Sequence, residues 1–213
     1  MPGGGELRLY ERGGEFSLRL DGRELMASRA YGSEEALGEL AAARLRARKE
    51  PSVLIGGLGL GYTLAAVLRG LGPRGAVLVA ELVPAVVEWN RGPLAHLAGH
   101  PLRDARVRVA TAGVAEVIRD ARGAFDAVLL DVDNGPGAAT RPGSARLYDA
   151  EGLAAARDAL RPGGLLGVWA ASGERSFPKQ LRAAGFRVEE TRARARGGRR
   201  GGAHVIWIAE REG

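Results

Sequence analysis

The pattern of hydrophobic and polar residues changes near residue 30. Between residues 6 and 27, apolar and polar positions alternate in "ELRLYE", "EFSLRL" and "RELMAS", with turn signals at Gly13-Gly14 and Asp21-Gly22. This alternation predicts a small antiparallel β meander. After Ser33, the stretch "EEALGELAAARLRARK" predicts an amphipathic helix that ends before Pro51. We therefore divide the chain into an N-terminal unit, 1–30, and a larger domain, 31–213.

From Ser52 onward, short apolar runs alternate with helical stretches. Predicted strands cover 52–56, 76–82, 105–111, 125–131 and 164–170, and predicted helices cover 62–71, 84–91, 114–121, 149–160 and 175–184. The alternation predicts a doubly wound, Rossmann-like α/β fold. The last two segments, "FRVEETR" and "AHVIWIAE", are separated by a stretch too short for a crossover, which predicts an antiparallel hairpin. We expect a mostly parallel seven-stranded sheet with this hairpin at its C-terminus, plus the small N-terminal β unit.

Composition narrows the class of protein. The 213 residues are 46% hydrophobic and include no cysteine, which excludes disulfides and thiolate metal sites. The longest apolar run, 53–68, is interrupted by glycines and is shorter than a membrane span. The first residues lack the basic region and apolar core of a signal peptide. We therefore expect a soluble cytoplasmic protein without a membrane partner.

A glycine-rich turn, "IGGLGLG" (55–61), follows the first parallel strand. Nucleotides bind at this position in such sheets, because the following helix begins there and missing side chains let the backbone approach the ligand. The dinucleotide fingerprint G-x-G-x-x-G/A fits neither frame, whereas Gly57-x-Gly59-x-Gly61 has the spacing typical of S-adenosylmethionine folds. Glu81 ends the second strand, slightly beyond the position roughly 20 residues downstream of the glycine turn where a ribose-binding acid is expected. The alternative is a turn whose glycines serve packing alone.

Asp131 ends the fourth predicted strand. In a doubly wound sheet the first and fourth strands flank the point where ligands bind, so Asp131 should face the glycine turn. A carboxylate there can orient, or accept a proton from, an amine or hydroxyl that attacks an electrophilic carbon. The alternative is a solvated loop acid or a cap of the following turn.

Four segments in order resemble the spermidine synthase-like group of class I methyltransferase folds. They are "VLIGGLGLG", "VLVAELVPAVVEWNRG", "FDAVLLDVDNGPG" and "ARLYDAEGLAAARDALRPGGLLGVWA", and the resemblance runs from about residue 6 to the end. It implies that the glycine turn contacts an adenosyl donor, that Glu81 holds the ribose and that Asp131 is the catalytic acid. The implied donor contacts are Gly56, Gly57, Leu58, Gly59, Gly61, Glu81, Leu82, Ala112, Gly113 and Asp131. The candidate acceptor contacts are Asp133 and Asn134 in the motif after strand four, and Tyr148 and Trp169 by their positions after that loop and at the end of strand five. Core packing explains Tyr148 equally well and is the simplest interpretation of Trp169.

Three departures from that group bear on the reaction. Gly59 stands where aminopropyltransferases carry an Asp that holds the donor's amine, and Asn134 replaces the second Asp of their motif after strand four. Ala112-Gly113 replaces a Gly-Asp pair that contacts adenine. A dicationic acceptor needs carboxylates to pair with. We therefore expect S-adenosylmethionine, or its decarboxylated form, as donor and a small-molecule acceptor, with methyl transfer slightly favoured over polyamine aminopropyl transfer.

Basic residues leave a second hypothesis open. The net charge is +6, and the stretch 191–202, "TRARARGGRRGG", contains the sharpest basic cluster. It could contact RNA phosphates or an anionic acceptor, and a solvated loop is the alternative. A non-catalytic adenosyl-binding protein, with the meander as a dimer contact, is a third hypothesis, and we expect a homodimer.

His96 and His100 lie four residues apart without a suitably spaced carboxylate, so we expect no metal site. His204 is interpreted as structural.

Overall fold

The structure, a computed structural model, describes residues 5–132, 135–136, 145–195 and 202–212. Its first element is an antiparallel sheet of three strands, β1 (Leu7–Arg12), β2 (Glu15–Leu20) and β3 (Arg23–Ala27), in the order β1-β2-β3. Left-handed backbone at Gly13 and Gly14 and again at Asp21 and Gly22 makes the two tight turns. The predicted N-terminal meander is therefore present.

The second sheet has seven strands. They are β4 (Ser52–Gly56), β5 (Ala76–Ala80), β6 (Val107–Ala110), β7 (Phe125–Leu130), β8 (Leu160–Ala170), β9 (Phe186–Arg194) and β10 (Ala203–Arg211). Their order is β6-β5-β4-β7-β8-β10-β9. All neighbouring strands pair in parallel except β10, which is antiparallel to both β8 and β9. The predicted doubly wound sheet and its C-terminal hairpin are confirmed.

Six α-helices in the described residues cover both faces of this sheet. They are α1 (Gly32–Leu45), α2 (Tyr62–Gly70), α3 (Pro84–Arg91), α4 (Val114–Asp120), α5 (Ala150–Ala159) and α6 (Phe177–Ala183), with short 3-10 turns at Ala95–Ala98 and Pro101–Arg103. Apolar residues of α1, α2 and α3 pack on one face, and those of α4, α5 and α6 on the other. Every residue of β7 is buried, as expected for a central strand covered on both sides. None of the helices in the described part of the chain has the length and hydrophobicity of a membrane span.

A third apolar cluster fixes the meander above the carboxyl edge of the large sheet. Phe16 and Leu18 of β2 pack with Leu60 and Tyr62, which lie in and just after the glycine turn, and with Leu94. All five side chains are buried. The N-terminal sheet is therefore held directly over the turn between β4 and α2, which gives the site a wall that the larger domain alone would not supply.

Candidate active site

A cavity of about 1350 Å³ lies between the meander and the carboxyl ends of the parallel strands. The winding direction of the sheet reverses between β4 and β7, which is where a doubly wound sheet leaves a crevice for ligands. The cavity wall includes Gly57 and Gly59 of the glycine turn, and the two predicted acids, Glu81 and Asp131. The meander contributes, among others, Leu18, Leu20, Leu25 and Met26. The sequence did not predict that the meander forms this wall.

The glycine turn uses left-handed backbone at three positions, with φ of +85° at Gly57, +51° at Gly59 and +86° at Gly61. A side chain at Gly57 would lie 2.4 Å from the carbonyl oxygen of Asp131. A side chain at Gly59 would lie 3.0 Å from the methyl carbon of Met26. Packing against β7 therefore suffices to explain Gly57, so the ligand argument depends on the acids and the cavity rather than on the glycine spacing alone.

Glu81 is a buried acid, 7% exposed, that follows β5. Its Oε2 accepts a hydrogen bond from the Leu58 amide at 2.9 Å, and its Oε1 accepts one from the Val83 amide at 2.8 Å. Beside it, Leu82 is 37% exposed and Gly113 borders the same space. The arrangement can hold a pair of sugar hydroxyls next to a flat apolar ring.

Asp131 follows β7 and lines the cavity. Its Oδ2 accepts a hydrogen bond from the Thr63 hydroxyl, 2.6 Å away on the first turn of α2. Burial raises the pKa of the Asp131 carboxyl above its ordinary value, although the Thr63 hydrogen bond opposes this. A carboxylate whose pKa lies nearer to neutral pH is a better proton acceptor for a nucleophile than an ordinary aspartate.

Glu34 is a further acid of the cavity wall, and the sequence did not assign it to the site. Burial raises the pKa of Glu34, and the negative charge of Asp131 raises it further. Ser33 and Glu34 were interpreted only as the start of a helix. The missing information was that α1 begins next to the carboxyl end of β7, which neither periodicity nor a motif reveals.

His204 also faces the cavity, at the start of β10. Its ring stands perpendicular to the Trp169 ring, with 4.8 Å between the centroids. Trp169 itself lines the cavity, as predicted, and its buried indole nitrogen has no hydrogen-bond partner among the described residues. Burial lowers the pKa of the His204 imidazole. The structural interpretation of His204 thus overlooked its place at the site.

Other predicted site residues do not border the cavity. Tyr148 is buried against Phe177, with its hydroxyl 3.4 Å from the Val132 carbonyl oxygen. Four further predicted contacts are not among the described residues that line the cavity: Gly56, Leu58, Gly61 and Ala112. Asp133 and Asn134 lie outside the described residues. The roles assigned to these residues stay predictions.

The cavity is acidic although the chain is basic. Its described wall contains eight carboxylates and two arginines, namely Asp21, Glu24, Glu34, Glu81, Glu116, Asp131, Asp149, Glu151, Arg119 and Arg146. One of the carboxylates, Glu24, is ion-paired with Arg29. Of the basic stretch 191–202, Thr191, Arg192, Ala193 and Arg194 instead line a separate groove of about 720 Å³ between α1, α2 and β9. The described part of this stretch therefore does not contribute to the cavity.

No potential metal centre is found in the part of the chain that the structure describes, where no three His, Asp or Glu side chains form a group that could hold an ion. His96 packs edge-on against Phe16, with 5.8 Å between the ring centroids. His100 adopts a left-handed backbone just before a 3-10 turn. The two histidines are therefore on different turns rather than on one helix face.

No family model matches the chain, and no curated protein matches it. Solved structures do resemble it. Spermidine synthase from Thermotoga maritima is 20% identical with a TM-score of 0.72, and the match covers 97% of this chain and 69% of that one. A spermidine synthase in complex with the transition-state analogue AdoDATO is 19% identical with a TM-score of 0.71, covering 97% and 68%. A putative O-methyltransferase from Klebsiella pneumoniae is 18% identical with a TM-score of 0.60, covering 84% and 80%.

The extent of these matches includes both sheets. The matches cover 97% of the chain, and the part left out is much shorter than the N-terminal sheet. The match to the spermidine synthase structures therefore includes the N-terminal sheet as well as the larger one. The O-methyltransferase shares the larger part of the architecture. The chain therefore has the fold of spermidine synthase, which is a Rossmann-like class I methyltransferase fold preceded by a small β unit.

Proposed function

We propose that this protein is a transferase that binds an S-adenosylmethionine-type donor and passes its alkyl group to a small-molecule acceptor. The observation that carries the proposal is that the glycine turn contacts both of the predicted acids in the cavity wall, Glu81 and Asp131. The Leu58 amide donates to Glu81, and Gly57 packs against the backbone of Asp131. A donor lying over the turn would therefore have one acid at each side.

The Glu81 side of the cavity supports binding of the adenosyl group. Amide hydrogen bonds fix the Glu81 carboxylate, which is an acceptor of the kind that suits the hydroxyls of a ribose. Leu82 and Gly113 offer apolar surface next to it. The excess of carboxylates in the described part of the wall favours a cationic ligand such as a sulfonium. The volume, about 1350 Å³, exceeds the usual upper range for a single small ligand, so a donor and a small acceptor fit together.

The Asp131 side supports the chemical step. The nucleophile X–H of the acceptor attacks the carbon beside the sulfonium, the X–C bond forms, and the C–S bond breaks with its electron pair moving to sulfur. Asp131 orients X–H and accepts its proton, for which its raised pKa is suited. Binding both reactants at the same edge of the sheet fixes their relative orientation, which supplies much of the rate enhancement.

Methyl transfer stays slightly ahead of aminopropyl transfer. The position that carries an Asp in aminopropyltransferases is Gly59, and the Met26 thioether covers it, so no carboxylate is present there for the donor's amine. The acidic wall favours the alternative, a polyamine aminopropyltransferase, because a cationic acceptor would be attracted. The same wall disfavours RNA as acceptor, since its phosphates would be repelled.

Calorimetry tests the proposal. Wild-type protein, Glu81→Gln and Glu88→Gln are titrated with S-adenosylmethionine, decarboxylated S-adenosylmethionine and methylthioadenosine. We expect wild type to bind S-adenosylmethionine and methylthioadenosine. Glu81→Gln should bind both about tenfold or more weakly, through loss of a charged acceptor. Glu88→Gln is the control, because it removes an exposed carboxylate of α3 that does not line the cavity, and it should change affinity by less than about twofold.

Each of the other outcomes changes the conclusion. Tight binding of decarboxylated S-adenosylmethionine alone would assign aminopropyl transfer. Binding without any turnover, and without an effect of Asp131→Asn in a screen of small-molecule acceptors, would assign a non-catalytic adenosyl-binding protein. If none of the three compounds binds, the donor assignment is wrong.

A further inference from the structure

Three polar side chains form a hydrogen-bonded chain beside the proposed acceptor position. The Ser33 hydroxyl lies 2.6 Å from Oε2 of Glu34 and 2.8 Å from Nδ1 of His204. Glu34 and His204 both line the cavity, whereas Ser33, between them, is fully buried. The chain therefore starts in the cavity, passes through the protein wall and returns to the cavity surface at the imidazole.

Helix capping does not account for this arrangement. A serine near a helix start usually accepts hydrogen bonds from backbone amides there. The N-terminal cap of α1 is Tyr31, and no side chain provides a capping hydrogen bond. The Ser33 hydroxyl instead lies between the carboxylate of its neighbour Glu34 and the imidazole of His204, which is 171 positions away from Ser33 in sequence. Burying a serine, an acid and a histidine together costs free energy unless all of them are hydrogen-bonded.

The hydroxyl proton of Ser33 can point to either neighbour, so these three side chains have two alternative hydrogen-bond patterns. When Glu34 is ionised, Ser33 donates to Glu34, and His204 donates to Ser33 from Nδ1. When Glu34 is protonated, Glu34 donates to Ser33, Ser33 donates to Nδ1, and the imidazole keeps its proton on Nε2. Only protons move between the two states, so no side chain has to change its rotamer.

We propose that Glu34, Ser33 and His204 form a relay that removes the proton released at Asp131 during alkyl transfer. The inference rests on the proposed function, because that reaction converts a sulfonium and X–H into two neutral products and one proton. Asp131 and Glu34 share the cavity wall, and the negative charge of Asp131 raises the proton affinity of Glu34. Glu34 is therefore the acid that takes up the proton from Asp131 in the relay.

The onward steps balance in protons. Glu34 gives its proton to the Ser33 oxygen while the Ser33 proton moves to Nδ1 of His204. The resulting imidazolium loses its Nε2 proton to water in the cavity, which leaves the Nδ1–H tautomer beside ionised Glu34. Before the next turnover the ring turns away from Ser33, gives its Nδ1 proton to water, takes up a proton on Nε2 and returns. Burial favours release from the imidazolium, because it lowers the pKa of His204.

Groups from four secondary-structure elements face the three hydrogen-bonded side chains. Asp131 follows β7, Thr63 and Tyr62 lie on α2, Trp169 is on β8, and Glu35 is the neighbour of Glu34 on α1. Arg69 pairs with Glu35, so the Glu35 charge is partly balanced. Among the described neighbours, the charge that acts most strongly on Glu34 is that of Asp131.

Nitrogen-15 NMR of the ligand-free protein tests the relay. Each imidazole of His96, His100 and His204 is followed from about pH 5.5 to about pH 8.5, and the His204 signals are assigned from their loss in His204→Gln. We expect the neutral His204 tautomer to change from Nε2–H to Nδ1–H as Glu34 ionises, with a midpoint near pH 7, since burial and Asp131 raise the pKa of Glu34 to about 7.

Two variants and one control decide the result. Ser33→Ala and Glu34→Gln should each abolish the tautomer change, whereas Ser17→Ala, which removes another buried serine hydroxyl, should leave it intact. Either variant suffices if the other fails to fold. One tautomer throughout the range in wild type, or an unchanged switch in folded Ser33→Ala, would overturn the relay.

A kinetic measurement links the relay to turnover. Ser33→Ala should lower kcat by about tenfold or more and leave the KM of the donor unchanged, because Ser33 does not border the donor. The NMR result does not depend on any ligand. Failure of the relay therefore appears in the spectra, and failure of the proposed function appears in calorimetry.

Discussion

Replacing Glu34 by glutamine should change how the stability of the protein depends on pH. In the folded protein, burial and the charge of Asp131 raise the pKa of Glu34 from 4.5 to about 7. Between these two values the folded state binds more protons than the unfolded state, so the free energy of unfolding falls as pH rises. Above about pH 7 the loss is complete. Glutamine carries no charge, so the variant lacks this contribution.

The size of the effect follows from the same two values. A difference of one in pKa corresponds to about 1.4 kcal/mol, so the shift of Glu34 sets an upper limit of roughly 3 kcal/mol. Glu34 borders the cavity and keeps part of its solvent contact, which reduces the penalty of its charge. We therefore expect that Glu34→Gln, relative to wild type, gains about 1–2 kcal/mol of stability between pH 5 and pH 8.

Urea unfolding at several pH values measures this difference. Glu39→Gln is the matched control, since it removes an exposed carboxylate from the same helix and should show a small difference that does not vary with pH. If the difference between Glu34→Gln and wild type is constant from pH 5 to pH 8, or decreases with pH, Glu34 is not a buried acid facing Asp131 and the reasoning fails.

Three further predictions concern the site. Asp131→Asn should lower turnover by about 10²–10⁴-fold with donor affinity in calorimetry nearly unchanged, and weakened donor binding of the same size would show a binding role instead. Both Gly57→Ala and Gly59→Ala place alanine at positive φ, which should cost about 1–2 kcal/mol of stability in thermal unfolding. Gly57→Ala should cost clearly more, because its neighbour is the Asp131 backbone, whereas the neighbour of Gly59 is the flexible end of a methionine. Equal costs would refute the close approach of Gly57 to Asp131. The double variant Arg192→Gln/Arg194→Gln should leave donor affinity within about twofold, because these residues line the separate groove, and a large loss would place that groove at the site.

The fold was predictable because each parallel strand is a short apolar run bounded by turn residues. The predicted and observed limits of β4 agree, and those of α2 differ by one residue. The main difference is β8, which begins at Leu160 rather than 164. "LRPGG" has the composition of a turn, yet Leu160 pairs with Phe125 before a register shift. Pairing with a fixed neighbouring strand overrides the local preference of Pro and Gly here.

The site was predictable only where topology alone brings residues together. The glycine turn and Asp131 follow adjacent parallel strands, so their proximity follows from the strand order. Glu34 and His204 belong to the start of α1 and the start of β10, and nothing in either local sequence distinguishes them from ordinary surface positions. Their proximity depends on how α1 packs against the sheet, which is a property of the tertiary structure.

The net charge of the protein and the local charge of the cavity wall lead to opposite conclusions about the ligand. The structure explains why the charge of the cavity wall should decide between them. The charge of +6 suggested a polyanionic partner, because the summed charge governs long-range, non-specific association. A bound ligand instead interacts with the nearest groups, and in the described wall of the cavity these are mostly carboxylates. The described arginines of the 191–202 stretch line the other groove. An RNA that bound this protein would therefore contact that groove, with an affinity that falls steeply with salt, and would leave the cavity free for a cationic donor.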